Sequence, residues 1–87
     1  MEFVNEPVSV EVQFSRDGRI RPRAFAWHGR RFQIESWGRE GPQTWEGRDL
    51  HCYLVQTAGM DRWELCGDTK TAQWTLSRHW ARRRDIA

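Results

Sequence analysis

Val8-Ser9-Val10-Glu11-Val12-Gln13-Phe14-Ser15-Arg16-Asp17-Gly18 is the stretch on which the fold turns. Apolar and polar residues alternate without a break over 8–14. Val8, Val10, Val12 and Phe14 therefore share one face of a strand, and Ser9, Glu11 and Gln13 the other. Asp17-Gly18 is the dipeptide of a two-residue type I′ turn, whose central residues both take positive φ. Closing that turn on Arg16 and Arg19 sets Val10 opposite Phe25 and Val8 opposite Trp27, apolar against apolar. A slip of one residue would lose the match.

Moving outward, His28-Gly29 gives a second turn of the same kind, since His tolerates the left-handed region better than most residues. It pairs Phe25 with Phe32 and Trp27 with Arg30, and brings Ile34 onto the same face. Two independently placed turns thus agree on one apolar face. Pro22 interrupts the pattern because it lacks the N–H a ladder needs, so a bulge or bend is expected there. Arg21 and Arg23 fall on the core face in this register, which puts that end of the sheet at its rim.

In the second half, strands are expected at Leu50–Gln56 and Arg62–Cys66. Pairing Gln56 with Arg62 brings Val55 to Trp63, Tyr53 to Leu65 and Cys52 to Cys66. A sixth strand, Gln73–His79, alternates Trp74 and Leu76 with polar residues. Residues 38–49 hold three Gly, one Pro and five charges with no apolar period, and read as a long loop. Trp45 within it would either fold back over the core or stand exposed. Residues 80–87 read as a basic C-terminal tail. The whole is an all-β, antiparallel meander of about six short strands, a curled sheet or small barrel, forming a single domain over 1–87.

A chain of 87 residues with six Trp and four Phe can bury enough apolar area for one core, and is not a disordered composition. The formal charge of +2 is too small to imply a polyanionic partner by itself. Of the 14 basic residues only Lys70 is a lysine. Arginine suits flat, two-pronged contacts with carboxylates or phosphates, although a compositional bias of the source gives the same count. The first dozen residues lack the pattern of a signal peptide, and no run approaches the ~18 apolar residues that span a bilayer. A cytoplasmic location with no membrane contact is therefore expected. That location favours reduced thiols at Cys52 and Cys66 over a cross-strand disulfide or half a metal site. His28, His51 and His79 add no metal-ligand spacing. There is no nucleophile elbow, no phosphate-binding glycine loop and no local acid–base motif. The expectation is a non-enzymatic chain with no cofactor, no metal and no catalytic residues.

For binding, the arginines between 19 and 31 interleave with Phe25, Trp27 and Phe32, as in single-strand nucleic-acid platforms. The register puts those rings in the core. The candidate contact residues are then Arg21, Arg23, Arg30, Arg31, Trp37 and Trp45, to which Arg78 and Arg82 to Arg84 could add a basic end.

The pattern Arg21-Pro22-x-x-Phe25-x-Trp27-x-Gly29-Arg30-Arg31-Phe32-x-Ile34, then Trp45, Tyr53-x-Val55, Trp63-Glu64-Leu65 and Trp74-x-Leu76, resembles a small bacterial domain of unknown function. That domain occurs alone and as a C-terminal extension of catalytically incomplete Y-family polymerase homologues, the ImuB-like mutagenesis proteins. The likeness covers about residues 20 to 80 and is most specific over Trp27 to Ile34, with Phe32 where Tyr is frequent. It implies a DNA repair or replication context and carries over no catalytic or binding residue. The expected function is a non-enzymatic binding module whose partner is nucleic acid or a DNA-repair protein. The alternative is a protein–protein interaction module acting through a sheet edge or the 38–49 loop.

Overall fold

The computed structural model describes residues 1–81, so the tail expected at 80–87 lies outside the described residues apart from Trp80 and Ala81. Six strands follow one another: β1 (Glu2–Phe14), β2 (Ile20–Trp27), β3 (Arg30–Trp45), β4 (Arg48–Thr57), β5 (Arg62–Asp68) and β6 (Trp74–Trp80). One short 3-10 turn, Ala58–Met60, joins β4 to β5. Every neighbouring pair is antiparallel, and β1 returns to β6, closing the meander into a barrel.

The β1–β2 hairpin meets at Val10↔Phe25 as the alternation requires, but reaches that pairing by another route. Only Gly18 of the Asp17-Gly18 pair has positive φ, and the turn closes on Ser15 and Arg19, with Ser15 N–H donating to Arg19 C=O at 2.9 Å. It is a three-residue turn, with Ser15 C=O also accepting from Gly18 N–H at 3.0 Å. Asp17 is held by the Ser15 hydroxyl and the Arg19 N–H, which favours this closure over the type I′ form. Near the turn the pairs are Phe14↔Ile20 and Val12↔Pro22. The register then shifts between Glu11 and Val12, leaving Arg23 as the extra residue of a bulge. Pro22, and not Arg21 or Arg23, thereby turns into the barrel. Pro22 is buried while both arginines are exposed, which corrects the expectation that they share the core face. The β1–β2 ladder stops at Ser9↔Ala26, one pair short of Val8 and Trp27, and on its other side Val8 pairs with Trp74 of β6.

The other pairings agree with the alternation: Phe25↔Phe32 and Trp27↔Arg30 about His28-Gly29, both with positive φ, and Val55↔Trp63, Tyr53↔Leu65 and Cys52↔Cys66 between β4 and β5. Residues 38–49 are not a loop. They form the distal half of a long β3–β4 hairpin, paired from Glu40↔Tyr53 to Trp45↔Arg48 about Glu46-Gly47, whose φ values are 49° and 74°. An apolar period is missing because most of this segment is exposed on both faces. Pro42 is tolerated because β3 has only β4 beside it at that level.

One end of the barrel is filled by rings. Trp63 lies 5.1 Å from Phe25, 4.9 Å from Phe32 and 5.6 Å from Trp27 between ring centres, and stacks on His79 at 3.8 Å. Its indole N–H donates to Thr57 Oγ1 at 2.9 Å. Ile34, Val55, Leu65 and Leu76 complete this core. On the outer wall, Cys52 and Cys66 are joined by a disulfide. The reduced-thiol expectation is corrected: the two residues face each other directly across β4 and β5, with Cα atoms 4.0 Å apart.

Candidate functional site

β1 changes partner midway. Glu2 to Val8 pair with β6, whereas Ser9 to Phe14 pair with β2, so β1 and β6 diverge beyond Val8↔Trp74. The divergence opens the barrel at the end opposite the packed rings. The resulting mouth is a groove of about 1080 Å³ running between the second half of β1 and the residues around the β5–β6 turn. Val8, Val10, Val12, Phe14, Ile20, Tyr53 and Trp74 supply its apolar lining. Phe14, placed in the core by its alternation, is 70% exposed at the rim of this mouth.

Two side chains brace β2 where it borders the mouth. β2 leaves β3 below Ala24↔Gln33, so the carbonyls of Ile20 and Pro22 have no ladder partner on that side. The Tyr53 hydroxyl donates to Ile20 C=O and the Trp37 indole N–H to Pro22 C=O, each at 2.7 Å. Burial, reinforced by the charge of Glu40, pushes the Tyr53 phenol up and keeps it a donor. Pro22 fits here because Ser15 and, by alternation, Gln13 bond to β2. The missing N–H of Pro22 thus points away from β1.

The opposite wall is the β5–β6 turn, organised by Asp68. Its Oδ1 accepts from the backbone N–H of Lys70 at 2.8 Å and of Thr71 at 3.1 Å, and its Oδ2 takes the Arg48 Nε at 3.0 Å. Those two backbone donors, then Arg48, hold the carboxyl below its usual range. Trp74 forms part of the floor, its ring 5.7 Å from that of Tyr53. A side cleft lined by Gln13, Arg19, Arg21, Glu40 and His51 shares Ile20, His51, Tyr53 and Thr69 with the mouth.

The six residues singled out from the sequence do not form one surface. Arg21 lies over the Trp37 ring at 4.3 Å, and Trp37 is half-buried by that contact and its bond to Pro22. Arg31 reaches across the outer wall to Glu11 with both prongs, at 2.6 and 3.2 Å. That hydrogen-bonded pair, aided by the nearby charge of Arg23, holds the Glu11 carboxyl below its usual range. Arg30 sits over Phe32 at 5.3 Å beside the His28-Gly29 turn. Trp45 is 53% exposed at the tip of the long hairpin, eight positions from Trp37 and roughly 25 Å along the strand. There it borders a second groove on the outer wall with Phe3, Glu64 and Arg78.

The residues of the mouth were missed because their signals are those of ordinary strands. Phe14 ends an alternating run, and Tyr53 and Trp74 read as core. The one distinctive signal was Asp68-Thr69-Lys70-Thr71, an Asp followed by donors positioned to bond its side chain. Among the described residues no group of three or more His, Cys, Asp or Glu is placed to hold a metal ion, and no helix is long and apolar enough to cross a membrane. No family model, no curated protein and no solved structure matches the chain.

Proposed function

We propose that the chain is a non-enzymatic binding module whose ligand occupies the open mouth of the barrel, and that it acts as a protein-interaction module. The observation that carries this reading is the asymmetry of the interior. One end is closed by stacked rings, and the other is a concave, largely apolar groove with a few polar groups on its walls. The nucleic-acid version has less support. Phe25 and Phe32 stack on each other at 5.1 Å inside, Trp37 is covered by Arg21, and Arg31 is matched by Glu11. In the repair or replication context that the resemblance implies, the ligand would then be a protein component of the assembly rather than its DNA.

The test is a backbone NMR titration with an uncharged apolar dye, N-phenyl-1-naphthylamine, beside a low-salt titration with single-stranded and duplex oligonucleotides. Dye-induced shifts confined to residues 8–14, 51–53 and 67–75 are the expected result. Salt-dependent oligonucleotide binding centred on Arg21, Arg23 and Arg30, with the mouth unperturbed, would overturn it.

A further inference from the structure

Resting on the mouth reading, we infer that the ligand is an acidic, extended peptide that adds to the free edge of β1 as a further strand. Three observations on the same segment lead there.

The first is the backbone edge. Ser9 to Phe14 pair with β2 on one side, and among the described residues no strand pairs with them on the other. Since Ser15 and Gln13 are the positions that bond to β2, Val12 and Phe14 direct their N–H and C=O groups toward the open side. An alternating row of donors and acceptors is met most completely by another extended backbone.

The second is the side-chain pattern beside that edge. Val10, Val12 and Phe14 line the mouth every second residue, facing Trp74 and Tyr53, so a strand lying along β1 would place alternate side chains in the groove. Phe14 and Ile20, both exposed large apolar residues, sit where such a strand would cover them.

The third is charge. The hairpin turn beyond this edge, residues 15–23, contains Arg16, Arg19, Arg21 and Arg23 against the single acid Asp17. Arg19 and Arg21 line the side cleft that adjoins the mouth, and Arg23 lies near Glu11 on the outer wall. The other acids near the edge are few: Asp68 is taken by Arg48 at 3.0 Å, Glu11 by Arg31 at 2.6 Å, and Glu40 lies 3.4 Å from the His51 ring. The excess at the rim is therefore positive, and it selects a peptide whose outward residues are acidic.

The experiment uses N-acetylated peptides of about ten residues, long enough to follow the whole edge. One alternates Val with Glu and the other Val with Lys, each titrated into the labelled full chain. The Val–Glu peptide should shift the amides of Val12 and Phe14 and bind about tenfold or more tightly than the Val–Lys peptide. Methylating alternate backbone nitrogens on one edge of the Val–Glu peptide should abolish binding, while methylating the other edge should leave it. A double variant, Arg19→Glu with Arg21→Glu, should reverse the charge preference while thermal unfolding confirms that it folds. Equal binding of both peptides, or indifference to methylation of either edge, would overturn the inference. Concentration-dependent dimerisation through the same amides would overturn it in favour of a second copy. Should the dye enter the mouth but no peptide bind, strand addition fails while the mouth reading stands. Failure of both removes the two together.

Discussion

Gly67 shows how narrowly one residue fixes the mouth. It pairs with Trp74 across β5 and β6, and the Trp74 ring lies flat against it. A methyl group there would stand 3.1 Å from Cζ2 and Cη2 of that ring, tighter than ordinary van der Waals contact, so the ring must give by a few tenths of an ångström. Gly67→Ala should therefore tilt Trp74 away from the wall and cost about 1–2 kcal/mol, at the lower end of what overpacking costs, because the half-buried ring has room to move. Urea unfolding measures the cost, and the Trp74 indole N–H resonance reports the tilt. An unchanged midpoint and resonance would show that the ring does not rest on the glycine. The same scale explains what could be read from sequence around the first turn. Asp17-Gly18 marks a turn correctly, yet the dipeptide does not say whether Asp17 will take positive φ or be held by Ser15. That local competition sets the closure of the turn.

At the scale of elements, strands packed against a core on at least one face were legible because their alternation is enforced by burial. That is why β4 and β5 pair residue for residue as read. The distal β3–β4 hairpin was not legible: with both faces largely exposed, no burial imposes a period, and Gly and Pro then look like loop residues. The mouth was opaque for a related reason, since it arises where β1 exchanges β6 for β2, a property of pairing and not of composition. The seam between β2 and β3 gives a measurable consequence. Tyr53 and Trp37 replace ladder bonds to Ile20 and Pro22 with side-chain ones. Tyr53→Phe and Trp37→Phe should each destabilise the protein by about 0.5–1.5 kcal/mol from the lost hydrogen bond, with a further cavity cost for the smaller ring in Trp37→Phe. Because both bonds close one seam, the double variant should lose less than the sum of the singles, measured as a double-mutant cycle by urea unfolding. Strict additivity would mean that the two bonds act independently.

For the molecule as a whole, two carboxylates tie the wall around β5 together, and their charge makes stability depend on acid. Glu64 is almost fully buried on the outer face, where burial alone would raise its pKa. The Arg78 guanidinium, bound through both prongs at 2.6 and 2.9 Å, together with Ser77, lowers it overall. Asp68 is lowered by the backbone donors of its turn. A carboxyl whose folded pKa is depressed adds stability above its unfolded pKa, about 4 for these residues, and gives it up as pH falls through the lower folded value. The melting temperature should therefore be level from pH 7 to about 5 and fall steadily below about 4, and Glu64→Gln should flatten some of that fall. A melting temperature that stays level to pH 3 would show that neither carboxyl is coupled to folding. Arg78 has a larger role than its partly exposed position suggests. Removing it strands the Glu64 charge in the wall at a cost of about 1–3 kcal/mol, less than for a fully buried pair because water still reaches the guanidinium.

The closure of β1 on β6 also sets how the molecule yields to force. A pull applied at Glu2 and Trp80 loads that ladder from one end, along its hydrogen bonds, so the pairs separate in succession instead of resisting together. Peeling starts at Glu2↔His79 and travels to Val8↔Trp74, where the mouth begins. Tension along this axis would unzip the barrel into a curled sheet whose other ladders stay paired, extending the groove along the whole of β1. The barrel is thus mechanically soft along the very strand that its ligand would join.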